Sequence, residues 1–138
     1  MTRPGSGDDS AKLSIQLDPG SALPLYRQIV DQIWIEVVDG SLAAGERMPT
    51  LRQLAIALGV HPDTVARAYH ELALLGVLHE RRGEGTFVGL QPAKRSELER
   101  RRQLEDICVT AVADAKQCGF SADDMIEIIK ELRDHHGS

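Results

Sequence analysis

The chain has 138 residues, 42% of them hydrophobic and 27% charged, a composition that predicts a packed core and excludes wholesale disorder. Its 16 Lys and Arg against 21 Asp and Glu give a net charge of −5, so bulk attraction does not indicate a nucleic-acid partner. Two cysteines are too few for a disulfide scaffold, and neither a secretory signal, a membrane span nor a nucleophile–base pair is apparent. We therefore expect a cytoplasmic protein without enzymatic activity, metal, cofactor or membrane contact.

Residues 1–20 form the first segment, and their Gly, Ser, Asp and Pro content predicts a flexible N-terminal tail. Every second residue from Leu13 to Leu17 is apolar, which indicates a short extended stretch with one face against a domain. From Pro24 onward, apolar residues recur every three or four positions, and Gly40 is typical of a helix C-terminus. The first helix is therefore expected at about 24–39.

A short helix and a longer one, joined by a tight turn, are predicted next. Thr50 and Gln53 have the spacing of a capping box, which favours a helix start, and Gly59 ends that helix. Pro62 suits the first position of the following helix, because its missing N–H would be unpaired there. A short helix, a tight turn and a longer helix make a helix-turn-helix.

A β-hairpin is predicted directly after these helices, within 77–88. Two β-prone runs flank Gly83, whose freedom to adopt a positive φ fits a type II′ turn. A hairpin in this place is a wing, so residues 21–91 are predicted to be a winged helix-turn-helix domain. The predicted fold class is mainly α with a small β-hairpin, followed by two C-terminal helices that mediate dimerisation.

Residues 92–138 are predicted to form those two helices, with a stop at Gly119 and a capping start at Ser121. Each helix carries an apolar stripe that the two helices cannot fully bury against each other, and a second copy of the chain is the economical partner. The predicted dimerisation residues are Leu104, Ile107, Cys108, Ala111, Val112, Ala115, Met125, Ile128, Ile129 and Leu132.

The chain resembles the GntR family of bacterial transcription regulators over four ordered motifs, Leu23–Ile29, Gly40–Ala55, Leu58–Tyr69 and Gly83–Val88. Most members of this family carry a ligand-binding or aminotransferase-like domain after the wing. Residues 92–138 of this chain suffice only for two helices. This short architecture after the wing is similar to that of the YtrA subfamily. The resemblance implies a homodimer that binds double-stranded DNA at a palindromic operator and regulates transcription, as a repressor.

Arg52 is the first candidate for a DNA contact. A cation at the second position of a helix opposes the helix dipole, and a guanine or a phosphate would supply the compensating interaction. The resemblance also implies a DNA-contacting arginine at this point of the Pro-x-x-Arg pattern, which Pro49 to Arg52 matches. The alternative interpretation is a salt bridge of Arg52 with Glu46 or Glu71.

The start of the third helix carries the next candidates, since its free amides can seat a phosphate and its first turn enters the major groove. His61, Thr64 and Arg67 are predicted DNA-binding residues there, with capping of the helix as the alternative role of His61. Relatives with longer domains have arginines at the positions of Pro62 and Ala66. Arg67 is offset from Ala66 by one residue, or about 100° around the helix.

The wing supplies the remaining candidates. Arg81 and Arg82 can enter the minor groove or bind phosphates, while glycines let the backbone approach a duplex closely. The predicted DNA-binding residues are Thr50, Arg52, His61, Thr64, Arg67, Arg81, Arg82, Gly83, Gly85 and Thr86.

Two alternative functions stay open at this point. One is a winged helix that acts as a protein-interaction module, which the acidic net charge favours. The other is a sensor in which an unidentified small-molecule effector or an oxidant acts through the C-terminal helices. We interpret Arg100–Arg102 as ion pairs on a solvated helix, and Cys108 and Cys118 as buried in the dimer interface rather than as metal ligands.

Overall fold

The computed structural model describes residues 13–91 and 93–136, so residues 1–12 of the predicted flexible tail at 1–20 lie outside the described residues. The helices are α1 (Leu25–Val38), α2 (Leu51–Leu58), α3 (Pro62–Leu74), α4 (Arg95–Gln117) and α5 (Ala122–His136), and the strands are β1 (Leu78–Arg81) and β2 (Gly85–Val88). The predicted fold class is confirmed, because the described elements are mainly helical with one small antiparallel hairpin. Among the described residues, no helix is long and apolar enough to cross a membrane.

The predicted helix boundaries of the helix-turn-helix are confirmed by their caps. The Gln53 N–H donates to Thr50 Oγ1 (3.1 Å) and the Thr50 N–H donates to Gln53 Oε1 (2.9 Å), which completes the capping box. Gly59 ends α2 with a φ of 70°, in the left-handed region that favours glycine. Pro62 occupies the first position of α3. Local chemistry therefore sets both ends of the turn.

The core of this part of the chain lies between α1 and α3. Fully buried apolar side chains from both helices pack together, closed by the hairpin and by Leu98 of α4. Burial of a Leu or Ile side chain contributes about 1.5–3 kcal/mol, so this cluster fixes the orientation of α3. The buried apolar set is Ile29, Val30, Ile33, Trp34, Leu42, Met48, Leu54, Ala55, Val65, Ala68, Tyr69, Leu72, Val77, Leu78, Val88 and Leu98.

The wing is an antiparallel pair in which Leu78 faces Val88 and Arg81 faces Gly85. Three residues lie between the paired ends, so the predicted two-residue type II′ turn is wrong, although Gly83 does have a positive φ of 77°. Gly83 is the central residue of a three-residue loop. Because glycine has no Cβ, it adopts the positive φ that this loop needs without steric crowding.

Residues 45–48 lie alongside β2 as a third extended segment. The Met48 N–H donates to the Thr86 carbonyl (2.8 Å), and the Val88 N–H donates to the Glu46 carbonyl (2.8 Å). The Gly45 N–H also donates to the Val88 carbonyl at 2.9 Å. A two-stranded hairpin is marginal on its own, and this third extended segment stabilises the wing and joins it to the start of α2.

The extended stretch 13–18, which we call the strap, runs along α1. Polar side chains of α1 hold it there through hydrogen bonds. Backbone N–H groups at positions 14, 16 and 18 donate to Glu36 (3.2 Å), Gln32 (2.8 Å) and Gln28 (2.8 Å). The Gln32 side chain also donates back to the carbonyl of Gln16 (2.8 Å). The donors are two residues apart on the strap, which spans about 6.8 Å, and the acceptors are four residues apart on α1, which spans about 6 Å. Because these two distances are similar, each successive donor meets an acceptor on the next turn of α1. The alternating apolar residues pack against the core, as predicted.

The chain divides into two compact units between Glu99 and Arg100. In the second unit, Ser121 and Asp124 form reciprocal hydrogen bonds of 2.9 and 3.1 Å, so the predicted capping start of α5 is confirmed. The predicted domain limits at 21–91 and 92–138, and the dimerisation role of the second of these segments, stay predictions.

Candidate nucleic-acid interface

A cleft of about 310 Å³ brings together the start of α2, one face of α3 and the wing. Its polar residues come from all three elements. The DNA-binding candidates predicted from the sequence belong to these same three elements. The lining residues are Arg47, Met48, Thr50, Leu51, Ala66, Tyr69, His70, Ala73, Glu80, Gly85 and Thr86. Three predicted DNA-binding residues, Thr50, Gly85 and Thr86, thus share one surface.

Arg52 is exposed at the second position of α2, directly after the cleft residues Thr50 and Leu51. Within the described part of the chain, no ion pair involves Arg52, so the alternative salt bridge to Glu46 or Glu71 is absent there. The guanidinium therefore stands near the positive end of a helix dipole without a compensating carboxylate. Its in-plane N–H donors are open to an external acceptor.

Tyr69 holds the start of α2 in place against α3. Its buried hydroxyl donates to the Pro49 carbonyl at 2.7 Å, three residues before Arg52. Burial raises the pKa of the Tyr69 hydroxyl above its ordinary value, so it remains a protonated donor. Sequence reasoning assigned no role to the Tyr69 hydroxyl. Helical periodicity indicates which face is buried and gives no signal for the partner of a hydroxyl.

The start of α3 is capped by a histidine. The Asp63 N–H donates to His61 Nδ1 (3.1 Å), so the alternative capping role of His61 is present. Because Nδ1 is the acceptor, the ring proton lies on Nε2 and that N–H is a donor for an external group. The side chain of His61 is exposed, and Thr64 is half-buried. Capping and DNA contact are therefore compatible at His61.

Arg67 is exposed but turns away from the cleft. Its guanidinium carbon lies 3.8 Å from the centroid of the Tyr26 ring on α1, whereas its neighbour Ala66 lines the cleft. The predicted angular offset between the two positions is thus present. On the cleft side, the exposed His70 follows Ala66 by one turn; sequence reasoning did not single it out.

The two wing arginines differ in their contacts. Arg81 stacks on Phe87 (4.6 Å to the ring centroid) and pairs with Glu84 (3.7 Å), so its charge is partly compensated. Arg82 is exposed, and the described residues include no ion-pair partner for it. Gly83, at the tip, is exposed with a positive φ. Arg82 is the wing cation best placed to bind a phosphate or the minor groove.

Sequence reasoning also missed Arg47. This exposed residue bridges to Phe87 of β2, and its guanidinium lies 3.4–3.8 Å from the position that a Cβ on Gly85 would occupy. Gly85 therefore leaves room for an arginine between the wing and the start of α2. The only signal in the sequence is the position of Arg47 two residues before Pro49, which does not reveal the pairing with β2.

The second unit exposes large apolar side chains on both of its helices. Leu104 is 62% exposed and Ile128 is 55% exposed, and Ile107, Ile129 and Leu132 are similar. Phe120 and Ile126, also exposed, were not predicted. Of the other predicted dimerisation residues, Cys108 is exposed, as is Cys118, while Ala111, Val112, Ala115 and Met125 are half-buried within the chain. The burial of both cysteines in a dimer stays a prediction.

The arginine run on α4 includes one predicted ion pair, Arg101 with Glu105 at 3.3 Å, but this pair is not solvated as expected. The two side chains are only 12% and 6% exposed, whereas Arg100 and Arg102 are exposed. The described residues do not contain three His, Cys, Asp or Glu side chains grouped to hold a metal ion.

Comparison with known proteins identifies the family. The model of the gntR family of bacterial regulatory proteins matches residues 25–88. The HTH-type transcriptional repressor YtrA of Bacillus subtilis is 32% identical over 119 residues, which cover 86% of this chain and 91% of YtrA. The chain belongs to the GntR family. Because the match to YtrA spans nearly the whole of both chains, it is a GntR regulator of the YtrA type.

Two solved structures agree with this assignment. YtrA from Sulfolobus acidocaldarius, a GntR-family transcription factor, is 32% identical with a TM-score of 0.55, over 72% of this chain and 97% of that one. AraR(DBD) in complex with operator ORX1 is 28% identical with a TM-score of 0.50, over 56% of this chain and 96% of that one. The GntR fold of this chain is thus similar to one that has been solved with operator DNA.

Proposed function

We propose that this GntR-family chain is a transcriptional repressor that binds an inverted-repeat operator as a homodimer. The observation that carries the proposal is Arg52, an exposed guanidinium without an ion-pair partner among the described residues, beside a cleft shared by α2, α3 and the wing. In this interface α3 enters the major groove, with Arg52 on a guanine or a phosphate. Arg82 and Gly83 lie over the minor groove.

The proposed homodimer forms through α4 and α5. Contiguous exposed apolar residues on a protein surface mark interaction sites, and both helices carry such residues in the second unit. A groove of about 680 Å³ beside Phe120, Met125 and Ile128 adds apolar surface for a second copy to cover. A two-fold pair of recognition helices would select an operator with matching two-fold symmetry.

Dimerisation also compensates for the acidic charge of the chain. With about three phosphate contacts per protomer, a dimer neutralises about six, and its binding constant falls with salt with a log–log slope of about −5. A monomer with half of these contacts binds weakly at physiological salt. We further propose that the protein is cytoplasmic and not an enzyme, as expected for a repressor.

The test uses duplexes that the full chain selects from a random-sequence pool, with affinities measured by fluorescence anisotropy. Arg52→Ala should weaken binding at least about thirtyfold, since it removes two base contacts per dimer worth at least about 1 kcal/mol each. Arg100→Ala, which removes an exposed arginine of the second unit, is the matched control and should bind normally. Absence of salt-dependent binding to any duplex, or unchanged affinity of folded Arg52→Ala, contradicts the proposal.

A further inference from the structure

The contact between Arg67 and Tyr26 joins the recognition helix to the start of α1. The guanidinium carbon lies 3.8 Å from the ring centroid, a distance that corresponds to direct stacking, while Arg27 lies farther from the same ring, at 5.9 Å. Tyr26 is half-buried and packs against the core, so its ring is a fixed platform. Arg67 itself is exposed. The stack therefore orders a side chain that would otherwise sample many rotamers.

A different partner for Arg67 is close in sequence. Asp63 precedes Arg67 by four residues on α3, and Asp–Arg pairs at this spacing commonly form ion pairs on a helix surface. That pair is absent from the described structure, in which the Asp63 carboxylate lies beside the helix cap, 3.6 Å from the His61 Nδ1 that accepts from the Asp63 N–H. The carboxylate and the guanidinium thus remain separate although they lie on neighbouring turns.

The two alternatives have opposite consequences for an external anion. An ion pair with Asp63 would occupy the in-plane N–H donors of Arg67 and neutralise its charge. Stacking on an aromatic ring uses the face of the guanidinium and leaves its five in-plane N–H donors available. Only the stacked arrangement keeps Arg67 able to bind a phosphate.

We propose that Tyr26 is a positioning residue for DNA binding: it holds Arg67 away from Asp63 and directs its donors at a backbone phosphate. A phosphate is the target because Arg67 points toward α1, away from the cleft that Ala66 lines, and so lies at the flank of the recognition helix. The inference rests on the proposed function of the chain. It gives Tyr26 a role in operator binding without any contact to the DNA.

A double-mutant cycle tests the inference with the selected duplex. Tyr26→Leu should weaken binding by up to about five- to thirtyfold for the dimer, since about 0.5–1 kcal/mol that positions Arg67 is lost in each protomer. Tyr26→Phe should bind normally because it keeps the ring. In the Arg67→Ala background, Tyr26→Leu should cause no further loss. The log–log slope of the binding constant against salt concentration should become shallower by up to about 2 in Arg67→Ala, because two phosphate contacts per dimer are lost. In Tyr26→Leu the slope should change in the same direction by a smaller amount.

Two further measurements separate positioning from a general loss of structure. Asp63→Asn should restore more affinity in Tyr26→Leu than it adds to the parent chain, because it removes the carboxylate that would capture Arg67. In NMR spectra of the DNA-free protein, ring-current shifts of the Arg67 side-chain protons should persist in Tyr26→Phe and vanish in Tyr26→Leu.

The outcomes distinguish this inference from the proposed function. If Arg52-dependent binding is intact but Tyr26→Leu costs the same with and without Arg67, the positioning role is wrong and the proposed function stands. If the ring-current shifts are present but the chain binds no duplex, the proposed function fails and the positioning role falls with it. An unchanged salt slope in Arg67→Ala also overturns the inference, since Arg67 then binds no phosphate.

Discussion

The hydrogen bond from Tyr69 to Pro49 allows a sharp test of how the elements of the proposed DNA interface are held together. Tyr69→Phe removes the hydroxyl that donates to the Pro49 carbonyl at 2.7 Å and leaves that buried acceptor without its donor. A buried hydrogen bond contributes about 0.5–1.5 kcal/mol, and an unsatisfied buried acceptor costs about 1–3 kcal/mol. We therefore expect Tyr69→Phe to lower the free energy of unfolding by about 1–2 kcal/mol.

The assay is urea unfolding followed by the fluorescence of Trp34, the single tryptophan, which is 2% exposed in the core. At this domain size, a loss of about 1 kcal/mol lowers Tm by roughly 4–8 °C. Tyr26→Phe is the matched control, because the Tyr26 hydroxyl donates to no described residue. Equal stability of the two variants would refute the assigned role of the hydrogen bond.

The raised pKa of Tyr69 adds a pH dependence with a definite sign. In the unfolded chain Tyr69 loses its proton near its ordinary pKa of 10.0, whereas the folded chain retains the proton to higher pH. The stabilisation is therefore fully present below about pH 10 and lost as the pH rises further, because the unfolded state then binds fewer protons. The parent chain should lose stability more steeply than Tyr69→Phe above pH 10, and parallel profiles would contradict this.

Three other predictions concern the strap, the α2 cap and the dimer. Gln32→Ala removes two 2.8 Å hydrogen bonds to the strap and should lower the free energy of unfolding by about 1 kcal/mol, measured by urea titration. Gln103→Ala, on the exposed surface of α4, is the control and should leave stability nearly unchanged. Thr50→Ala breaks the capping box and should lower stability by about 0.5–2 kcal/mol in the same titration; an unchanged midpoint would show that the cap contributes nothing. Ile128→Asp should shift the chain from dimer to monomer in sedimentation velocity and weaken operator binding, whereas Lys130→Asp should do neither. A dimeric Ile128→Asp variant would place the interface elsewhere.

The features that the sequence predicted correctly depend on residues close in the chain. The Thr50–Gln53 capping box, the left-handed Gly59 and the positive φ of Gly83 are each determined within a few residues, so spacing and residue type suffice. The loop length of the hairpin was nevertheless predicted wrongly. The buried faces of α1 and α3 follow from helical periodicity for the same reason.

The features that sequence reasoning missed join residues far apart in the chain. The Tyr69 hydroxyl reaches back 20 residues to Pro49, Arg67 reaches Tyr26 on another helix, and Arg47 pairs with β2. Periodicity assigns a residue to a face but does not identify what its polar tip contacts after the helices pack. The candidate site was therefore predicted as a set of residues, whereas the contacts that orient those residues required the structure.

The extended segment 45–48 has a mechanical consequence for recognition. It is hydrogen-bonded to β2 on one side and continues within two residues into α2, so a displacement of the hairpin is transmitted to the first turn of that helix. In the proposed DNA interface, Arg82 at the hairpin tip and Arg52 on α2 are therefore expected to bind a duplex in a coupled way. Losses from removing both arginines should differ from the sum of the single losses, and a duplex that bends to meet one of them shifts the other as well.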